Sequence, residues 1–131
     1  MPENTGVKRI VIIDDEKSFV EIFSFALKSY GYEVIGYSDS AEALKNIQID
    51  KPNLIILDLL MPKINGFDFI KHLRNVCYKE NECKVIILTN LDETESGLKI
   101  DDNLIKSIGG DALIKKTSNL NEIIAKIKNL V

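Results

Sequence analysis

Little in this chain suggests a fold held by anything but its own core. Cysteine occurs only twice in 131 residues, as Cys77 and Cys83. Two are too few for a disulfide framework and their spacing is not C-x-x-C, so both read as inert thiols. No apolar run approaches the roughly 20 residues that a membrane-spanning helix needs. The N-terminal Met1-Pro2-Glu3-Asn4-Thr5-Gly6 lacks the charged and apolar blocks of a secretory signal. The expected setting is therefore cytoplasmic, without a membrane partner. Basic charge is also short: the formal net charge is -3, which removes the electrostatic footing for direct nucleic-acid binding by this domain. Histidine occurs once, and His72 has no second histidine to join it, so it reads as an ordinary surface or boundary residue. Internal repeats, low-complexity stretches and linkers are missing too, so residues 1–131 read as one domain.

What is present is an alternation of short apolar runs and amphipathic stretches. Val7 to Ile13 is β-branched and almost continuously apolar toward its end, the pattern of a strand buried on both faces. Phe19, Ile22, Phe23, Ala26 and Leu27 then recur at helical spacing, with Gly31 as the stop. Residues 33–37 read as a second strand, and Asp39 or Ser40 can cap a helix carrying Ala43, Leu44 and Ile47. Leu54-Ile55-Ile56-Leu57 is a third strand ending at Asp58. Beyond Pro62 and Gly66, Phe67 and Phe69 read as packing residues, with Phe69, Ile70 and Leu73 on the inner face of the next helix. Val85-Ile86-Ile87-Leu88 is a fourth strand ending at Thr89, and residues 91–108 hold a helix that the acidic run 92–95 would start. Ala112-Leu113-Ile114 is a short fifth strand. Leu120, Ile123, Ile124, Ile127 and Leu130 mark a final helix, whose Lys126 and Lys128 read as solvated. Five strands, each followed by a helix, predict an α/β fold with a parallel sheet and helices on both faces.

The polar residues that interrupt these runs carry the functional signal. Strand one runs into Asp14-Asp15-Glu16, strand three into Asp58, strand four into Thr89, and strand five into Lys115 and Lys116. All stand at carboxyl ends, which share one edge of a parallel sheet, where ligands bind. Each has a plain reading alone: a helix cap for Asp14-Asp15, a turn for Asp58, a backbone-bonded hydroxyl for Thr89, solvated ammonium groups for the lysines. Together they form a chemically specific set. Clustered carboxylates repel unless a cation compensates, and oxygen ligands with open positions suit Mg²⁺. A carboxylate can then attack phosphorus, while an ammonium and a hydroxyl hold the remaining oxygens.

Four segments in order extend the reading. Val11-Ile12-Ile13-Asp14-Asp15-Glu16 is the first. Asp58-Leu59-Leu60-Met61-Pro62-Lys63-Ile64-Asn65-Gly66 has the form D-x-x-M-P-x-x-x-G. Val85-Ile86-Ile87-Leu88-Thr89 and Gly109-Gly110-Asp111-Ala112-Leu113-Ile114-Lys115-Lys116 complete the set. With these the chain resembles the receiver domains of two-component response regulators. The resemblance implies a flavodoxin-like, doubly wound, five-stranded parallel sheet of order 2-1-3-4-5. It implies Asp58 as phosphoacceptor, with Mg²⁺ bound by Asp15, Asp58 and the backbone carbonyl of Leu60, and by Asp14 through water. Thr89 would hydrogen-bond the phosphoryl group. Lys116 would pair with Asp58 and then with the phosphoryl oxygens. A sensor histidine kinase or phosphotransfer protein would be the donor, and a downstream effector protein or an output domain outside this sequence would be the target. Self-association stays open. Such a domain is a switch that catalyses only its own phosphorylation and dephosphorylation.

The departures from the family pattern are specific. Thr117 stands where the family has proline after its lysine, which leaves that peptide bond open between trans and a cis form costing about 3 kcal/mol. Leu113 replaces the family's aromatic, Asn90 replaces a small residue, and the stretch between Thr89 and Lys116 is longer than the norm. A phosphate-independent interaction module is the alternative these changes leave. An aspartate-nucleophile phosphohydrolase is disfavoured, because Leu60 occupies the place of its second acid.

Overall fold

The computed structural model describes residues 6–77 and 82–131, with the side chains of residues 76 and 77 outside that description. The reading of Cys77 as an inert thiol falls there. The element order is β1 (Arg9–Ile13), α1 (Lys17–Ser29), β2 (Glu33–Tyr37), α2 (Ser40–Asp50), β3 (Leu54–Asp58), α3 (Gly66–His72), β4 (Lys84–Thr89), α4 (Asp102–Ser107), β5 (Ala112–Lys115) and α5 (Leu120–Leu130), with α3 running on into a π-helical turn, Leu73–Cys77. All pairings are parallel and the sheet order is β2-β1-β3-β4-β5. From β1 the chain goes outward to β2 and then crosses to β3 on the other side. The strand order therefore reverses between β1 and β3, where a crevice opens at the carboxyl ends.

Alternation along the strands divides the core in two. Ile10, Ile12, Ile56 and Leu88 face α1 and α5, where Val20, Phe23, Leu27, Ile123 and Ile127 meet them. Val11, Ile13, Leu57 and Ile87 face α2, α3 and α4, meeting Ala43, Ile47, Phe69 and Ile105. Strands apolar on both sides are the direct consequence of helices on both sides. Cys83 lies buried in the second layer, and that burial pushes its thiol up to about 12, which keeps it unreactive. His72 is exposed, as expected.

Local signals explain most helix ends. Asp39, rather than Ser40, caps α2 by accepting from Ala41 N and Glu42 N. Gly31, at φ +94°, carries the chain out of α1 in a conformation that suits glycine.

The fourth helix corrects the sequence reading. Residues 91–101 are not helical: Thr94 N donates to Leu98 O at 2.8 Å, Ile100 N donates to Asp92 O at 2.8 Å, and Glu93 bridges Lys99 in antiparallel fashion. The tip turns at Gly97, φ +88°. Thr94 Oγ1 accepts from Leu98 N at 3.0 Å. A hydroxyl that satisfies backbone groups locally competes with helix formation, so the acidic run 92–95 enters a hairpin instead of starting a helix. The helix begins only at Asp102, where Asp101 accepts from Leu104 N at 2.9 Å.

Candidate functional site

The β1 and β3 registers pair Ile13 with Leu57, so Asp14 and Asp58 leave neighbouring strands side by side. Ligand oxygens of Asp14, Asp15 and Asp58 lie within 4.8 Å of one another. Asp14 is 1% exposed and Asp58 8%, whereas Asp15 is open to solvent. Lys116, directly after β5, brings its ammonium to 2.7 Å from Asp14 Oδ2, 3.2 Å from Glu16 Oε1 and 3.6 Å from Asp58 Oδ2. It thus pairs more closely with Asp14 than with the expected partner Asp58. Thr89 ends β4, buried, and its Oγ1 accepts from Leu91 N at 3.1 Å. Asp14, Asp15, Asp58 and Lys116 therefore meet in one crevice, Thr89 stands at the carboxyl end of the adjoining strand, and Leu60 follows Asp58 in the loop beside it.

The charge balance is strained. Burial, and then the neighbouring Asp14 carboxylate, push Asp58 up to about 6 against the pull of Lys116. Burial also opposes the charge on Lys116, but Asp14, Asp58 and Glu16 outweigh it and hold the ammonium above the ordinary lysine range. Asp14 Oδ1 accepts from Glu16 N at 3.0 Å, but its buried Oδ2 has no aligned hydrogen-bond donor, only the ion pair with Lys116. Three carboxylates facing one ammonium, with one oxygen lacking an aligned donor, form an oxygen-rich donor set short of positive charge. A hard divalent cation fits that deficit.

Several contributors escaped the sequence reading. The Phe19 ring lies 5.0 Å from the Lys116 ammonium, a cation–π support from the first turn of α1. Buried Ser40 donates to Pro62 O at 2.9 Å and accepts from Ile64 N at 3.1 Å, which ties the loop after Asp58 to α2. Lys63, at φ +71°, pairs with Asp39 at 2.6 Å. A serine beside a helix cap and a lysine in a loop give no local sign of such partners. The Lys116–Thr117 bond is trans, since the described residues contain no cis peptide. Lys115, read as solvated, in fact donates to Leu91 O at 2.7 Å and to Asp92 Oδ1 at 2.6 Å.

Gly66 packs so closely that a Cβ there would stand 2.8 Å from Asp58 O and 2.9 Å from Leu59 Cα, both backbone. Gly66→Ala is therefore expected to destabilise the protein by about 2 kcal/mol, lowering Tm by roughly 7 °C, because neither neighbour is a movable side-chain tip. An unchanged or raised Tm in thermal unfolding would show that the acceptor loop has slack.

The fold and this crevice define a CheY-like, flavodoxin-type α/β domain with its acidic cluster at the topological switch point. The "Response regulator receiver domain" family model matches residues 10–128. The chain is 34% identical over 124 residues to the "Alkaline phosphatase synthesis transcriptional regulatory protein PhoP" of Bacillus subtilis (strain 168), covering 95% of this chain and 48% of that protein. It is also 34% identical over 127 residues to the "Probable transcriptional regulator ycf27" of Cyanophora paradoxa, with the same coverage. Among solved structures, the chemotaxis protein CheY4 of Vibrio cholerae superposes with a TM-score of 0.81 at 26% identity, covering 95% of this chain and 99% of that one. A two-component response regulator from Clostridium difficile gives 0.80 at 26% identity, covering 94% of each. The chain belongs to the response regulator receiver domain family of two-component systems. It spans about half the length of the curated relatives it matches. Among the described residues no helix is long and apolar enough to cross a membrane.

Proposed function

We propose that this domain accepts a phosphoryl group on Asp58 from a histidine kinase or phosphotransfer protein, with Mg²⁺ held by Asp14, Asp15, Asp58 and the Leu60 backbone carbonyl. One observation carries the reading: ligand oxygens of Asp14, Asp15 and Asp58 gather within 4.8 Å beside an ammonium 3.6 Å from Asp58. The bound ion would neutralise the carboxylates and shield the charge of the incoming phosphoryl group. The chain's own residues do the rest. An Asp58 oxygen attacks phosphorus as its bond to the donor's nitrogen or oxygen breaks, and the bonding pair leaves with the donor. Lys116 pairs with the phosphoryl oxygens, and the Thr89 hydroxyl donates to one of them. Attack needs an ionised Asp58, so a site that pushes this carboxyl up to about 6 gains from any added positive charge.

We read residues 1–131 as one such cytoplasmic domain, which signals to a separate effector protein or to an output domain outside this sequence. The curated relatives are transcriptional regulators about twice as long as the matched region, which supports an attached output. The metal half of the proposal is tested by calorimetric titration with Mg²⁺. Asp15→Asn and Asp58→Asn should each weaken binding at least about tenfold, through loss of a charged ligand. Unaltered affinity in both would remove the metal from this crevice.

A further inference from the structure

The family's aromatic is missing at Leu113, yet the two lysines that close β5 divide their work between the site and the hairpin at residues 92–100. Successive strand residues point to opposite faces. Lys116 turns into the acidic crevice, while Lys115 turns onto the hairpin base and holds the Leu91 carbonyl and the Asp92 carboxylate at once, at 2.7 Å and 2.6 Å. Thr89 joins the two. Its carbonyl accepts from Lys116 N at 3.1 Å and its hydroxyl accepts from Leu91 N at 3.1 Å. The chain after Thr89 is thus tied to the site by one hydroxyl and to β5 by one ammonium.

We propose that Lys115 is a positioning residue: it clasps the 92–100 hairpin to β5 while Asp58 is unmodified, and phosphorylation of Asp58 opens that clasp. The coupling rests on the reading of Asp58 as acceptor. A phosphoryl oxygen on Asp58 draws Thr89 Oγ1 inward, and Leu91 N–H loses the oxygen it uses now. Leu91 then shifts, and its carbonyl and Asp92 leave the Lys115 ammonium. Asp92 is 87% exposed in this pair, so the ion pair alone is weak. A weak clasp is what a switch needs, since a small change in local charge can then shift the population. Ile100, buried opposite Asp92 at the hairpin base, stays as the apolar anchor about which the segment moves.

The test is amide hydrogen exchange on the full chain, reading peptides from residues 91–101 and, as internal reference, from α1 and α5. Wild type, Lys115→Met, Lys115→Arg and Asp92→Asn are compared with and without Mg²⁺ and acetyl phosphate, with adduct formation followed by intact mass. Asp92 is solvent-exposed, so Asp92→Asn removes the charged half of the clasp without touching the core. Without the phosphodonor, Lys115→Met should exchange the hairpin about tenfold faster than wild type and Asp92→Asn, which leaves the bond to Leu91 O, about threefold faster, Lys115→Arg should stay near wild type, and α1 and α5 should not change. Phosphorylated wild type should match Lys115→Met, and phosphorylation should add little to that variant. Wild-type and Lys115→Met hairpins that exchange alike overturn the clasp. An adduct that leaves wild-type hairpin exchange unaltered overturns the coupling. No adduct together with no stable beryllofluoride complex overturns the acceptor reading and the coupling with it, while the comparison of unmodified proteins still decides on the clasp.

Discussion

Asp58→Asn is expected to make the metal-free protein more stable at neutral pH, by about 2 kcal/mol or roughly 7 °C in Tm. Asp58 is 8% exposed and its pKa in the folded protein is pushed from 3.8 to about 6 by burial and by Asp14. A carboxyl raised on folding binds its proton more tightly in the native state than in the unfolded chain. Its contribution therefore turns unfavourable as pH rises above 3.8 and reaches its full cost above about 6. The difference in Tm between variant and wild type should be small at pH 4, grow between pH 4 and 6, and level off by pH 7. Asparagine keeps the shape and removes the charge. Mg²⁺ should shrink the gap, because it stabilises the wild type more than the variant by binding it more tightly. Melting curves across this pH range check the prediction, and a pH-independent difference would remove Asp58 as its cause.

The opposite sign is expected for Lys116→Met. Its ammonium is the cation paired with buried Asp14 Oδ2, and it also offsets Asp58. Methionine keeps an apolar stem of similar length but takes the ammonium from the Phe19 ring and leaves the acidic cluster unneutralised. A loss of about 3 kcal/mol at pH 7 follows, the usual scale for breaking a buried pair by removing one partner. Mg²⁺ should recover much of it and should bind the variant about tenfold more tightly, since a competing charge has gone. If Lys116→Met melts with the wild type and Mg²⁺ affinity does not change, the ammonium is not what balances the cluster.

The two outcomes are tied to how the site was legible. The three central strands could be read because Ile10 to Ile13, Leu54 to Leu57 and Val85 to Leu88 are buried on both faces and so are continuously apolar. The crevice could be read because Asp14, Asp58 and Thr89 break those runs at one edge. The hairpin at 92–100 could not, since acidic residues before an apolar stretch fit a helix start equally well. The choice is made by Thr94 and Gly97 locally and by Lys115 from 23 residues away. The Lys116–Glu16 pair spans 100 residues and exists only once the sheet has formed. Ser40 gave no sign of holding the acceptor loop, because a helix-start serine usually caps, and here Asp39 has taken that task.

The account's central claim is that Asp58 takes a phosphoryl group, and the most direct measurement is intact mass after incubation with Mg²⁺ and acetyl phosphate, beside Asp58→Asn. The prediction is a gain of one phosphoryl group in the wild type, none in the variant, and none when Mg²⁺ is chelated. Equal labelling of wild type and Asp58→Asn, or no wild-type adduct together with no stable beryllofluoride complex, would contradict it and favour a module that signals without phosphate.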